Sequence, residues 1–307
     1  MPGLIGDAAP AAAHPAPNGV QFFTADDGLR LAYDDAGDGI PVICLAGLTR
    51  NMTDFDFVRP YLLDRCRVIR MDYRGRGRSD FDSNYQNYNV LREAQDVIGL
   101  MDHLGLEQAA ILGTSRGGII SMILAGSHKE RLLGVCLNDI GPLIEPEGLA
   151  YIFGYLGVTP KYQTYEEAAD GMIEANAKRF PGVSRDRWRA HAEHLWREKP
   201  DGLALRYDKL LRRILMEQSA SDTMPDMWLL FEALKGVPIA LIHGANSDLL
   251  SQETAAEMQR RRPDMPYARV ADRGHVPFLD EPEALNLISQ FLEGLSPAPK
   301  IDSAAAQ

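Results

Sequence analysis

Gly113-Thr114-Ser115-Arg116-Gly117 follows the apolar run Ala109 to Leu112 and opens the helical pattern Gly118-Ile119-Ile120-Ser121-Met122. A G-x-S-x-G pentapeptide between a strand and a helix is a nucleophile elbow. Glycines flank the serine because the turn is sharp and backbones approach closely there. The turn pushes the hydroxyl out of the sheet and leaves the next amide, that of Arg116, facing an incoming carbonyl oxygen.

Two further loops complete the pattern. Ala271-Asp272-Arg273-Gly274-His275-Val276-Pro277 follows a short strand, Tyr267 to Val270. Pro238-Ile239-Ala240-Leu241-Ile242-His243-Gly244 reads as a buried strand, with Ala245-Asn246-Ser247-Asp248 as the loop at its carboxyl end. Ser115, Asp248 and His275 therefore occur in the chain order Ser…Asp…His, each just past a strand. In a parallel sheet such loops emerge on one edge, where open α/β sheets hold their ligands. A serine hydroxyl is a weak nucleophile and needs an adjacent base, for which neutral imidazole is suited near pH 7. A carboxylate fixes the imidazole tautomer and stabilises the imidazolium. The tetrahedral intermediate needs two amide donors. Arg116 supplies one, and the loop after Val42-Ile43-Cys44-Leu45-Ala46-Gly47-Leu48 supplies the other, assigned to the Leu48 backbone.

On these residues the chain resembles the α/β-hydrolase superfamily, in particular small bacterial serine esterases and related hydrolases with a helical cap. The matching pieces are Leu45 to Asn51, Asp72 to Asp80, the elbow, Asn138-Asp139-Ile140-Gly141-Pro142, the Asp248 loop and the His275 loop, spanning Val20 to Leu295. The resemblance implies a mostly parallel eight-stranded sheet flanked by helices, with an inserted helical cap. It departs from the family in having Ala46 where a histidine often precedes the glycine. Asp139, after the strand Leu133 to Asn138, occupies the other place from which this fold can supply the acid; the position of Asp248 in the resemblance favours Asp248.

Other patterns read as structural. Gly75-Arg76-Gly77-Arg78-Ser79-Asp80 lacks the third glycine of a dinucleotide fingerprint and no helix opens there. His191 and His194 share a helix face, but no HExxH and no third ligand accompany them, so they read as solvated helix residues and no metal site is expected. His243 reads as packed or carbonyl-bonded. Arg50 and Arg116 flank the oxyanion region, where structural ion pairing outweighs binding of a substrate carboxylate.

The chain has 307 residues and a formal charge of −11, which makes a nucleic-acid partner an unsuitable reading. With 45% hydrophobic residues it is not globally disordered, and no stretch approaches transmembrane length. Three scattered cysteines, Cys44, Cys66 and Cys136, suit a reducing cytoplasm. Residues 1–18 and 296–307, rich in Ala and Pro, read as disordered tails, the first without the marks of a secretory signal. Residues 19–141 and 223–295 form the α/β core. Residues 142–222, where the strand rhythm vanishes, form a mostly helical cap carrying Tyr151, Phe153, Tyr155, Trp188 and Trp196, with Trp228 just beyond it.

The expected activity is hydrolysis of a small or medium carboxylic ester with a hydrophobic portion, through an acyl-enzyme on Ser115, without metal or organic cofactor. Lactonases and C–C bond hydrolases share this triad, and a non-enzymatic small-molecule receptor on the same scaffold is the contrasting class. The sequence leaves the oligomeric state open.

Overall fold

The computed structural model describes residues 19–219 and 226–295. Both tails, and the cap boundary near residue 222, lie outside the described residues. Along the chain run β1 (Val20–Thr24), β2 (Arg30–Ala36), β3 (Ile40–Leu45), α1 (Arg59–Leu63), β4 (Cys66–Met71), α2 (Val90–His103), β5 (Ala109–Thr114), α3 (Arg116–Ser127) and β6 (Leu132–Asn138). An insertion follows: α4 (Pro146–Tyr155), α5 (Tyr165–Asn176), α6 (Arg185–Leu195), β7 (Trp196–Lys199), β8 (Gly202–Leu205) and α7 (Leu210–Ser219); α8 (Met227–Ala233) then packs on the main core. The chain closes with β9 (Ile239–Gly244), α9 (Gln252–Arg261), β10 (Tyr267–Val270) and α10 (Pro282–Glu293).

Eight strands form one sheet in the order β1-β2-β4-β3-β5-β6-β9-β10. β1 and β2 pair antiparallel, as do β2 and β4; every other pair is parallel. The mixture follows from the sequence. The Asp26-Asp27-Gly28 turn allows a hairpin at the edge, whereas β5 and β9 are buried at every position and need helices on both faces. α2 shows how those helices form. Asn89 accepts the Arg92 N–H as its N-cap, and Ala94, Val97, Leu100 and Met101 make one buried stripe.

The segment between β6 and β9 differs in one respect from its mostly helical reading. Trp196 begins a two-stranded antiparallel ribbon, β7–β8, instead of prolonging a helix. The insertion has an apolar cluster of its own, in which Tyr165, Ala168, Ala169, Met172, Trp188 and Ala192 pack α5 on α6. None of the helices among the described residues is long and apolar enough to cross a membrane.

Beneath the β4–α2 connection lies a buried ionic cluster. Fully buried Arg74 donates to both oxygens of Asp96, each at 2.7 Å, to Asp82 at 2.5 Å and to Asp27 at 2.9 Å. Burial pushes the Asp96 carboxyl up, and Arg74 opposes that shift. One guanidinium thus ties the hairpin turn, the loop after β4 and helix α2. Removing one partner of a buried pair leaves an uncompensated charge, which costs about 3–5 kcal/mol. Arg74→Met is accordingly expected to lower the unfolding free energy by about that amount in urea titration; a loss below ~1 kcal/mol, the range of surface pairs, would contradict the role given to this cluster.

Candidate active site

Ser115 joins β5 to α3 with φ +50° and ψ −112°, a conformation that side-chain-bearing residues rarely adopt. Two close approaches hold it there. A Cβ on Gly117 would stand 2.1 Å from the Leu45 carbonyl oxygen, and one on Gly113 would stand 2.8 Å from the Gly117 carbonyl. Only glycines let β3, β5 and α3 meet so tightly, and the strained serine between them turns its hydroxyl away from the helix it precedes.

That hydroxyl lies 3.0 Å from His275 Nε2, and His275 Nδ1 lies 2.8 Å from Asp139 Oδ2. A buried carboxylate can only accept, so Nδ1 carries the proton and Nε2 is left to accept from Ser115. Asp139 follows β6 with φ +54°, which a short polar side chain tolerates better than most. Its backbone N–H donates to the Ile242 carbonyl at 2.8 Å. Its Oδ1 accepts the Gly244 N–H at 2.7 Å, and Oδ2 accepts the Ser247 hydroxyl at 2.6 Å besides His275. The carboxylate has no solvent exposure.

The expectation that Asp248 holds the histidine is therefore corrected. Asp248 Oδ2 accepts from Arg179 Nη1 at 3.1 Å, and the carboxylate on His275 belongs to Asp139. The reason is local. Ser247 Oγ accepts the N–H groups of Leu249 and Leu250 at 3.2 and 3.1 Å, forming a tight hydroxyl turn that points Ser247 at Asp139. Its neighbour Asp248 turns instead to Arg179. Both acids follow parallel strands, and nothing in the spacing tells them apart; the serine before Asp248, able to satisfy a buried acid, was the available signal.

Arg116 follows Ser115 as the first residue of α3, and the loop that carries Leu48 lies on the other side. A Cβ on Gly47 would stand 3.8 Å from Ser115 Cβ, which brings the loop after β3 against the elbow. Ala46 replaces the family's usual histidine, and other side chains brace this loop. Arg76 Nε donates to the Leu48 carbonyl at 3.1 Å, and Tyr73 Oη donates to the Ala46 carbonyl at 3.3 Å. Arg76 is itself fully buried and paired with Glu93 at 2.8 Å, which also accepts Arg116 Nε at 2.5 Å. The Arg116 side chain is thus a strut, and its amide opens the N-terminus of α3, where the helix dipole favours negative charge.

A cavity of about 440 Å³ is bounded by His275, Arg50, Tyr151, Tyr155, Arg179 and Trp188, among others. Tyr151 and Tyr155 of α4, Trp188 of α6 and Trp196 bound this space, so four of the six aromatics noted in sequence line it; Trp228 instead packs edge-on against Phe231. His191 is buried rather than solvated, edge-on to Trp188 and Phe278, because α6 turns this face inward. Burial, then the positive charge of Arg50, hold its pKa well below the ordinary value. Asp54, His191 and His194 bring ligand-type atoms within 4.8 Å of one another. Asp54 is thus the third ligand-type residue that the sequence reading lacked; Arg50 engages two of the three, donating to Asp54 through Nε at 2.8 Å and lying 3.1 Å from His191 Nε2. His243 is carbonyl-bonded, 2.8 Å from the Leu250 oxygen.

Residues 42–286 match the profile of the Alpha/beta hydrolase family. The chain belongs to that family. It is 34% identical over 276 residues to the 3-hydroxybutyrate-oligomer hydrolase of Cupriavidus necator, covering 86% of this chain and 93% of the relative. It is 27% identical over 268 residues to the 2-(acetamidomethylene)succinate hydrolase of Mesorhizobium japonicum, covering 86% and 92%. Among solved structures, an alpha/beta hydrolase from Novosphingobium aromaticivorans superposes with a TM-score of 0.82 at 35% identity, covering 89% of this chain and 97% of that one.

The two acids of this α/β hydrolase can be separated without a substrate. A fluorophosphonate labels a serine in proportion to its activation. Asp139→Asn is expected to slow labelling of Ser115 by about 10³- to 10⁴-fold, the scale on which losing the acid misorients the base. Asp248→Asn should slow it far less; the reverse ranking, read by mass spectrometry of labelled protein, would restore Asp248.

Proposed function

We propose that this α/β hydrolase cleaves small to medium carboxylic esters by two acyl transfers at Ser115. The observation that carries the reading is the continuous hydrogen-bonded line from Ser115 Oγ through His275 to Asp139. His275 Nε2 takes the hydroxyl proton as Ser115 Oγ attacks the ester carbonyl. The resulting oxyanion rests on the Leu48 and Arg116 amides, each of a kind whose loss costs about 10²- to 10³-fold in rate. His275 then gives its proton to the departing alkoxide oxygen, leaving an acyl-enzyme. Water, deprotonated by the same nitrogen, attacks the acyl carbon; collapse releases the acid and returns the proton to Ser115. Asp139 stays ionised throughout and stabilises the imidazolium. These steps balance without a cofactor.

The size of the substrate follows from the cavity, since about 440 Å³ lined by aromatic and polar groups suits a compact molecule rather than a long lipid chain. The relative from Cupriavidus necator supports an ester reading, because an oligomer of a hydroxy acid is held together by carboxylic ester bonds. Turnover of p-nitrophenyl esters from acetate to long chains tests the proposal. Activity should peak at short to medium acyl length and fall by about 10³-fold or more in Ser115→Ala. A folded wild-type protein that leaves all these esters intact, or a Ser115→Ala variant of equal activity, would overturn it.

A further inference from the structure

We propose that Arg179 forms a subsite for a carboxylate carried on the alcohol half of the substrate, so that the ester cleaved is one formed by a hydroxy acid whose own carboxyl is free. The inference rests on the ester reading above. The chain carries a net charge of −11, yet the cavity is bounded by three cations, Arg50, Lys161 and Arg179, against one acid, Asp54. Arg50 pairs with Asp54, the acid that itself bounds the cavity, and lies against His191, whereas Asp248, the acid paired with Arg179, is not among the bounding residues. Lys161 is an exposed point charge on the loop between α4 and α5, with its ammonium 5.8 Å from the Tyr162 ring.

Arg179 is held differently. Its Nη1 donates to Asp248 at 3.1 Å and its Nη2 to Asn176 at 2.9 Å, while its guanidinium carbon lies 3.8 Å from the centre of the Tyr151 ring. Its main chain is clamped as well, for Asn246 Nδ2 donates to the Arg179 carbonyl at 3.2 Å. A guanidinium has five N–H donors in a rigid fork, so donors remain for a second carboxylate, and the fork is already oriented to receive it. Orientation before binding removes the ordering cost that a free lysine would bear.

Location decides which half of the ester it reads. A Cβ on Gly274 would stand 2.9 Å from Arg179 Cβ, so Arg179 packs against the residue next to His275. The departing oxygen must lie within hydrogen-bond reach of His275 Nε2 to be protonated. The alcohol half therefore leaves on the His275 side, and the oxyanion lies on the Leu48 and Arg116 side. A carboxylate a short spacer beyond the departing oxygen meets Arg179. The contact also gives Asp248 its place: it fixes a substrate-facing cation, while its neighbour Ser247 fixes the acid of the triad.

The test compares two linear dimers of 3-hydroxybutyrate, one with its terminal carboxyl free and one with it converted to the primary amide. Cleavage of the internal ester is followed by chromatography in wild type, Arg179→Gln, Arg179→Lys and Lys161→Gln, with thermal unfolding of each. The wild type should prefer the free acid by about 10- to 100-fold in kcat/KM, the scale of charge-assisted hydrogen bonds. Arg179→Gln should bring that ratio near one, chiefly through KM, and Arg179→Lys should recover part of it. A latch that merely held the insertion would lower both substrates together and leave the ratio alone, which overturns the inference. If Arg179→Gln fails to fold, a reduced ratio in Arg179→Lys supports the subsite and an unchanged one removes it. A wild type indifferent to the terminal charge, or a ratio lost only in Lys161→Gln, overturns the inference while p-nitrophenyl ester turnover keeps the ester reading standing. Failure on every ester overturns both.

Discussion

The buried carboxylate of Asp139 is the constraint on which the site depends. An ionised carboxylate with no solvent exposure is tolerable only when its lone pairs are filled. Here a backbone amide, a serine hydroxyl and an imidazole fill them. The donors come from the last residue of β9 and from the loops after β9 and β10, and the acid itself follows β6. Satisfying one charge therefore locks three loops in register and sets the tautomer that His275 presents to the loop after β5. The parallel sheet supplies the common edge, and the acid supplies the convergence.

A second buried network supports the other side of Ser115. Arg76, Glu93 and Arg116 join the loop after β3, helix α2 and the first residue of α3. The chain lacks a histidine at position 46, and the arginine reaching the Leu48 carbonyl from the loop after β4 shows how a different residue carries the bracing load. The insertion between β6 and β9 is fastened by further cation contacts. Arg187 of α6 pairs with Asp280 at 2.5 Å and lies 3.9 Å from the Phe57 ring centre. Arg50 reaches from the loop after β3 to His191. Such contacts fix the cavity walls relative to Ser115.

Much of this was legible in the chain. The strand–turn–helix setting of Ser115, the strand before His275 and the Asp-Asp-Gly hairpin follow local rules of periodicity and turn chemistry, and the eight strands fall close to where those rules put them. Three features were not recoverable locally. Asp139 and Asp248 each follow a parallel strand, and a single serine, Ser247, is the one local sign of the turn that separates them in space. His191 shares a helix face with His194, but whether that face meets solvent or Trp188 depends on how α6 docks. Trp196 lies in a segment read as mostly helical, yet it pairs with Leu205 across β7–β8, where an aromatic residue suits a strand once a partner segment lies beside it.

The chemistry of the site turns on which carboxylate holds His275, and the proton on its Nδ1 reports this directly. In ¹⁵N-histidine-labelled protein, a proton shared with a buried carboxylate is shielded from exchange and resonates far downfield. The resonance should be present in wild type and in Asp248→Asn, and absent in Asp139→Asn. Its survival in Asp139→Asn, with loss in Asp248→Asn, would contradict the arrangement on which the site is built.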